Sequence, residues 1–269
     1  MRKSQTALHT RWTRVLTGLV IVASALLLAA TTCGGDNGGN EKTGTDASAT
    51  PAEGSPRASQ ISEEVSKKLK DLGEEWAKTS VKATYDIASS TGTETTKSTL
   101  VLYGAPPKVR ADFVGDVFGT STQTIVISTP DKTYVCSQEG GDQCLAYPPS
   151  SNVVDVLPFL SVFDPGAIEA GLSGLTGNVQ IASSSEKVAG DDASCVSAEG
   201  NIGGQDSLAK WCFASNGLLL FESSADAAGT SEVTIQATDI GNVSDSDFEP
   251  PYPVSEVSES PTATATPGG

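Results

Sequence analysis

Ile61, Val65, Leu69, Leu72 and Trp76 recur at intervals of four, four, three and four residues, on one helical face opposite Lys67, Lys70, Asp71, Glu74 and Lys78. Ser62 ahead of Glu63 and Glu64 suits a helix start, with acids at the positive end of the dipole. From Val81 the period falls to two. Val81, Ala83, Tyr85 and Ile87 alternate with Lys82, Thr84 and Asp86, and Val109, Ala111 and Phe113 alternate with Lys108, Arg110 and Asp112. This predicts strands at 81–89, 97–103, 108–114, 122–128 and 132–137. The breaks at Gly104-Ala105-Pro106-Pro107 and Thr129-Pro130-Asp131 are too short for helical crossovers, so neighbouring strands are antiparallel.

An apolar block, Val153 to Phe163, interrupts the alternation, and Asp164-Pro165 reads as cap and first turn of a second helix over 166–172. Strands resume at 179–182, 194–198, 208–214, 217–223 and 232–238, ending at Phe248-Glu249-Pro250-Pro251-Tyr252. The pattern is an α+β body: about ten antiparallel strands, an opening helix and a central helical insert.

Three strands depart from simple alternation. Leu100-Val101-Leu102-Tyr103, Ile125-Val126-Ile127 and Leu218-Leu219-Leu220-Phe221 place apolar side chains on both faces, which a sheet with one wet face does not need. The expected covers are the opening helix, the Val153 to Phe163 block, or a bound apolar molecule. Alternation assigns Tyr85, Ile87, Val109, Ala111 and Phe113 to the covered face, with Ile125 and Ile127. Leu218 and Leu220 join them, and Phe159, Leu160 and Phe163 are the facing positions on the insert.

The first 32 residues are of another kind. Arg2, Lys3, Arg11 and Arg14 precede a mostly apolar run from Val15 to Ala30, the layout of an export signal. Cys33 closes it and resembles the lipidated cysteine of bacterial lipoproteins, although Thr32 and Ala30 stand where such sites usually have a small residue and Leu. The reading is a lipoprotein signal peptide over 1–32, a Gly/Ser/Thr/Asp-rich tether over 33–60, a single domain over 61–255 and a disordered polar tail over 256–269. The body is placed outside the cytoplasm, attached to the cell membrane through Cys33.

Charge and cysteines narrow the chemistry. The chain of 269 residues has 17 Lys and Arg against 33 Asp and Glu, and from Ala111 onward only Lys132, Lys187 and Lys210 oppose 22 acids. No basic stripe exists to follow a phosphate backbone, so nucleic acid is excluded as a partner. The one histidine, His9, lies in the leader, which removes Ser-His-Asp, Cys-His and HExxH chemistries from the body. Besides Cys33 four cysteines remain, an even number suited to an oxidising compartment, and pairing Cys136 with Cys144 and Cys195 with Cys212 makes two hairpin staples. A four-cysteine zinc site lacks CxxC spacing.

SxxK occurs at Ser184 to Lys187 and at Ser207 to Lys210, but the only KTG, Lys42-Thr43-Gly44, lies in the tether ahead of both. Asp245-Ser246-Asp247 with Glu249 lacks the glycine spacing of a calcium loop. No cofactor, metal or catalytic residue is assigned, and the chain is read as no enzyme.

KVRADFV at Lys108 to Val114, TIVISTPDKTYVCSQEGGDQC at Thr124 to Cys144, SCVSAEG from Ser194, KWCFASNGLLLFES at Lys210 to Ser223 and DSDFEPPYP at Asp245 to Pro253 carry a family likeness. Over Ile61 to Pro253 the chain resembles the LolA-like superfamily, the lipoprotein carriers and LppX/LprG-type lipid-binding lipoproteins of bacterial envelopes. The resemblance implies a strongly curved antiparallel sheet, a half-barrel, with the opening helix and central insert covering its concave face and acyl chains between them. It implies a protein that binds a lipid or other hydrophobic ligand, with lipid or lipoprotein transport as the use. The alternative is an envelope interaction or stress-sensor module using the same cavity for a protein partner.

Overall fold

The computed structural model describes residues 61–117, 120–138, 141–149, 158–175, 178–202 and 205–257. Cys33, the leader, the tether, the Val153 to Leu157 part of the apolar block and nearly all of the polar tail lie outside these residues.

Helix α1 spans Glu63–Trp76. Ser62 caps it by accepting the Val65 N–H at 3.3 Å, and Val65, Leu69 and Leu72 of the predicted stripe are buried. Eleven strands follow that the turns delimit sharply: β1 (Val81–Thr91), β2 (Glu94–Ala105), β3 (Lys108–Val117), β4 (Thr120–Ser128), β5 (Thr133–Ser137) and β6 (Gln143–Tyr147), then β7 (Val179–Val188), β8 (Asp191–Ile202), β9 (Gln205–Phe213), β10 (Leu219–Asp226) and β11 (Ser231–Gly241). A three-residue strand, β12 (Val254–Glu256), ends the described chain. The insert between β6 and β7 is a 3₁₀ turn, Pro158–Phe163, and helix α2, Pro165–Ser173.

All twelve strands belong to one open sheet in the order β12-β6-β5-β4-β3-β2-β1-β11-β10-β9-β8-β7. The first described strand is thus central. β2 to β6 build outward from one side of it, and β7 starts at the far edge and returns through β8 to β11 to pair with the other side. Every pairing is antiparallel except that of β12 with β6, which is parallel. The sequence pattern predicted about ten strands. β6 enters as the second arm of the cysteine hairpin and β12 as an edge addition too short to leave a periodic signal.

Both disulfides bond cross-strand neighbours. Cys136 faces Cys144 between β5 and β6, and Cys195 faces Cys212 between β8 and β9, so the expected sequential pairing is present. Both bridges suit an oxidising compartment.

The helices pack on one face of the sheet. Val65, Leu69 and Leu72 of α1, Leu160 and Phe163 of the 3₁₀ turn and Ile168 and Leu172 of α2 share one apolar cluster with strand residues from β1, β2, β8, β9 and β11. Gly73 lets α1 approach α2, since a Cβ there would sit 3.1 Å from the Gly166 backbone nitrogen. Ser66 donates to Glu169 at 2.6 Å at the same crossing, and that bond holds the Glu169 carboxyl below its usual range. Asp164 caps α2 by accepting the Gly166 N–H at 2.8 Å. Asp164→Ala is expected to cost about 1 kcal/mol, read as a lower urea midpoint with an unchanged slope.

The opposite face has its own, smaller core. Tyr103, Ile125, Ile127, Cys136 and Cys144 are buried there with Phe248, and Val243 and Tyr252 pack against them. This cover is the segment after β11. The expected covers for the doubly apolar strands β2 and β4 were a helix, the Val153 block or a ligand, and the chain instead uses its own C-terminal segment. Arg110 fastens it: the guanidinium donates to the Asp247 carbonyl at 2.7 Å, binds both oxygens of Asp112 at 2.6 and 2.7 Å, and lies 5.0 Å from the Tyr103 ring centre.

Candidate functional site

Cross-strand register sorts the predicted cavity positions by face. Gly104 faces Val109, Leu102 faces Ala111 and Leu100 faces Phe113 across β2 and β3, while Leu100 and Leu102 face Tyr85 and Ala83 across β1. Tyr85, Ile87, Val109, Ala111 and Phe113 therefore share the helix-facing side. Leu218 and Leu220 belong to the same cluster, each with almost no exposure, and Leu160 and Phe163 meet it from the insert. Phe159 falls in the 3₁₀ turn.

Ile125 and Ile127 go elsewhere. They face Asp112 and Arg110 across β3, so they point away from the helices, and Val126 opposite Ala111 takes the helix-facing place. The alternation within β4 is as expected but its phase relative to β3 is reversed, because phase depends on the register across the β3–β4 connection. Ile125 and Ile127 are removed from the helix-side wall on this ground and belong to the core beneath Phe248.

The helix-facing wall also holds polar groups that alternation alone does not single out. Trp211 on β9 faces Glu222 on β10, Glu222 faces Ile235 on β11, and Ile235 faces Ile87 on β1, with Tyr85 the next position of β1 on that side. Tyr85 is fully buried, its ring edge-on to Phe163 at 4.8 Å, and burial pushes its hydroxyl far above the ordinary tyrosine range. Glu222 is 5% exposed, and loss of solvation pushes its carboxyl up to about 7, eased by the Ser224 hydroxyl. The Tyr85 hydroxyl, the Trp211 indole N–H and one Glu222 oxygen have no hydrogen-bond partner among the described residues. The signal that could have found Glu222 is the alternation through Leu218 and Leu220, whose next step it is.

On the opposite face lies an open groove of about 570 Å³. Two cross-strand rows floor it: Gln236, Asp86, Thr99 and Val114, then Thr234, Ala88 and Lys97. It is mixed in polarity and shares no side chain with the predicted cavity except Ile87.

The remaining sequence motifs have ordinary local roles. Ser184 donates to Glu186 at 2.8 Å and Ser207 to the Gln205 carbonyl at 3.3 Å, both on strands. Asp245 pairs with Lys108 at 2.7 Å, and the Asp247 carboxylate accepts from the Ser244 backbone and hydroxyl, closing a 3₁₀ turn. Glu186 lies near Cys195 and Cys212, but both sulfurs are in the disulfide and offer no thiolate to a metal.

No family model and no curated protein matches the chain. Several solved structures do. An uncharacterized conserved protein from Thermus thermophilus is 10% identical with a TM-score of 0.42, the match covering 71% of this chain and 98% of that one. MucB, also solved in a Pseudomonas aeruginosa MucA/MucB complex, is 13% identical with a TM-score of 0.42; the match covers 70% of this chain but only 63% of MucB. A LolA superfamily protein from Nitrosomonas europaea is 10% identical with a TM-score of 0.31, over 68% of this chain and 97% of that one. At these identities the functional assignment depends on the chain's own side chains.

Proposed function

We propose that this is a lipid-anchored protein of the outer side of a bacterial cell membrane that holds a lipid or other apolar molecule between its helices and its sheet, without covalent chemistry. The observation that carries this reading is the apolar stratum between the two layers. It runs without a charged break other than Glu222 from Leu102 on β2, through β1, β11 and β9, to Val196 on β8. Its cover is small. Two helices and a turn are joined to each other at the Gly73–Gly166 crossing and through Ser66 and Glu169, so the insert and the helix it touches would shift as one unit. A half-barrel curvature of the sheet toward this cover would give an acyl chain room once the insert shifts. Cys33 would supply the anchor and 33–60 the tether, which at up to ~3.5 Å per residue lets the body work tens of ångströms from the surface.

Full-length protein purified gently from an exporting bacterial host and compared in native and denaturing mass spectra is expected to release apolar mass on unfolding. A clean protein mass, persisting after incubation with envelope lipid vesicles, would overturn the assignment. Leu172→Asp, which puts a carboxylate into the stratum from the fully buried face of α2, is expected to abolish retention. Asp245→Asn, at an exposed site outside the stratum, is expected to leave it unchanged.

A further inference from the structure

We infer that the helix–sheet interior recognises an amphiphile by its uncharged oxygen acceptors, of the kind an acyl ester provides, with Tyr85, Trp211 and Glu222 as the polar contacts. This rests on the apolar-binding reading above and specifies its ligand. Buried polar atoms in folded proteins nearly always have partners, and one left bare is a cost the chain has not removed. Here three such atoms occur on one face, within the four adjacent strands β1, β11, β10 and β9. Tyr85, Trp211 and Glu222 are 0%, 1% and 5% exposed, so bulk water does not serve them.

Their chemistry selects the partner. The indole N–H only donates, the phenol donates readily, and a carboxyl that keeps its proton donates as well. A carbonyl oxygen, with two lone pairs, accepts from at most two such groups, so the cross-strand neighbours Trp211 and Glu222 would share one oxygen, and Tyr85, on the far side of β11, would take another oxygen of the same molecule. A charged headgroup is disfavoured, because the nearby cations are on the other face: Lys82 and Arg110 flank Tyr103, and Lys210 pairs with Glu186 at 2.7 Å. An anion buried beside these donors would lack a counter-charge. The rest of the wall, from Ile87 and Ile235 to Val196, suits the chain of the same molecule.

The test uses the full-length protein in nanodiscs and two probes of equal chain length, methyl palmitate and hexadecane, each measured by displacement of diphenylhexatriene. Wild-type protein is expected to prefer the ester by roughly 10-fold or more, with a shift of tryptophan emission that hexadecane does not produce. Tyr85→Phe and Trp211→Phe delete unpartnered polar atoms while keeping an aromatic ring, so the fold should hold, and each is expected to reduce the preference by roughly 3–10-fold. Thermal melts of both variants no lower than wild type by more than a few degrees would show that binding, not folding, has changed. Equal displacement by both probes, or an unchanged preference in both variants, overturns the polar recognition and leaves apolar binding standing. Displacement by neither probe overturns both.

Discussion

Asp112→Ala is expected to lower folding stability by about 3–5 kcal/mol, the range for removing one member of a buried, hydrogen-bonded ion pair. The two side chains are only 13% and 11% exposed, and both guanidinium contacts to Asp112 are short. Without the carboxylate, Arg110 would keep only the Asp247 carbonyl and the Tyr103 ring against its desolvation. The loss should be visible twice. Urea unfolding should shift to a lower midpoint, and the segment carrying Phe248 and Tyr252 should become more open to protease, since Arg110, with Lys108, attaches it to β3. Arg110→Met combined with Asp112→Leu should recover much of the loss. A coupling energy below about 1 kcal/mol in the double-mutant cycle, as for an exposed pair, would refute the buried-pair account.

Glu222→Gln should make the protein more stable at alkaline pH and change little at acid pH. Burial pushes the folded-state carboxyl from its usual value near 4.5 up to about 7. An acid whose proton affinity rises on folding favours the fold fully below about pH 4.5; that advantage is lost as pH rises to about 7, and the penalty is then constant. With each tenfold in affinity worth about 1.4 kcal/mol, the variant should exceed wild type by about 3 kcal/mol at pH 8. Among the described residues Tyr85 is the other buried titratable side chain of that wall, and it stays neutral throughout. Stability curves for wild type and variant that run parallel from pH 4 to pH 8 would show that Glu222 ionises freely in the fold.

The elements of this fold were legible wherever a single segment carried its own period. The α1 stripe, the Asp164-Pro165 start of α2 and the strands 81–89 and 108–114 stand in the sequence because burial of one face writes itself into local spacing. What depends on two segments at once was not. The two faces of Ile125 and Ala111 can be compared only through the β3–β4 register, and a shift of one residue exchanges them. The cover over Ile127 comes from Phe248, more than a hundred residues away, and nothing near either residue announces the other. Glu222 was legible only in part: the alternation through Leu218 and Leu220 leads to it, but an acid after Phe221 also reads as the end of an apolar run, and its cross-strand neighbours Trp211 and Ile235 place it in the interior.

The place of β1 at the middle of the sheet bears on how the chain is made. Thr84 on β1 meets Thr238 on β11 across 154 residues, so one long flank of β1 has no partner until almost the whole body has been synthesised. A chain made from its N-terminal end would emerge with β1 to β6 able to pair among themselves while that flank stays open, a template for any extended segment nearby. Closing so large a loop is slow compared with making the hairpins on either side. The newly made protein should therefore pass through a stage in which the β1 to β6 meander is formed and its inner edge is unpaired, the interval in which it is most vulnerable to aggregation.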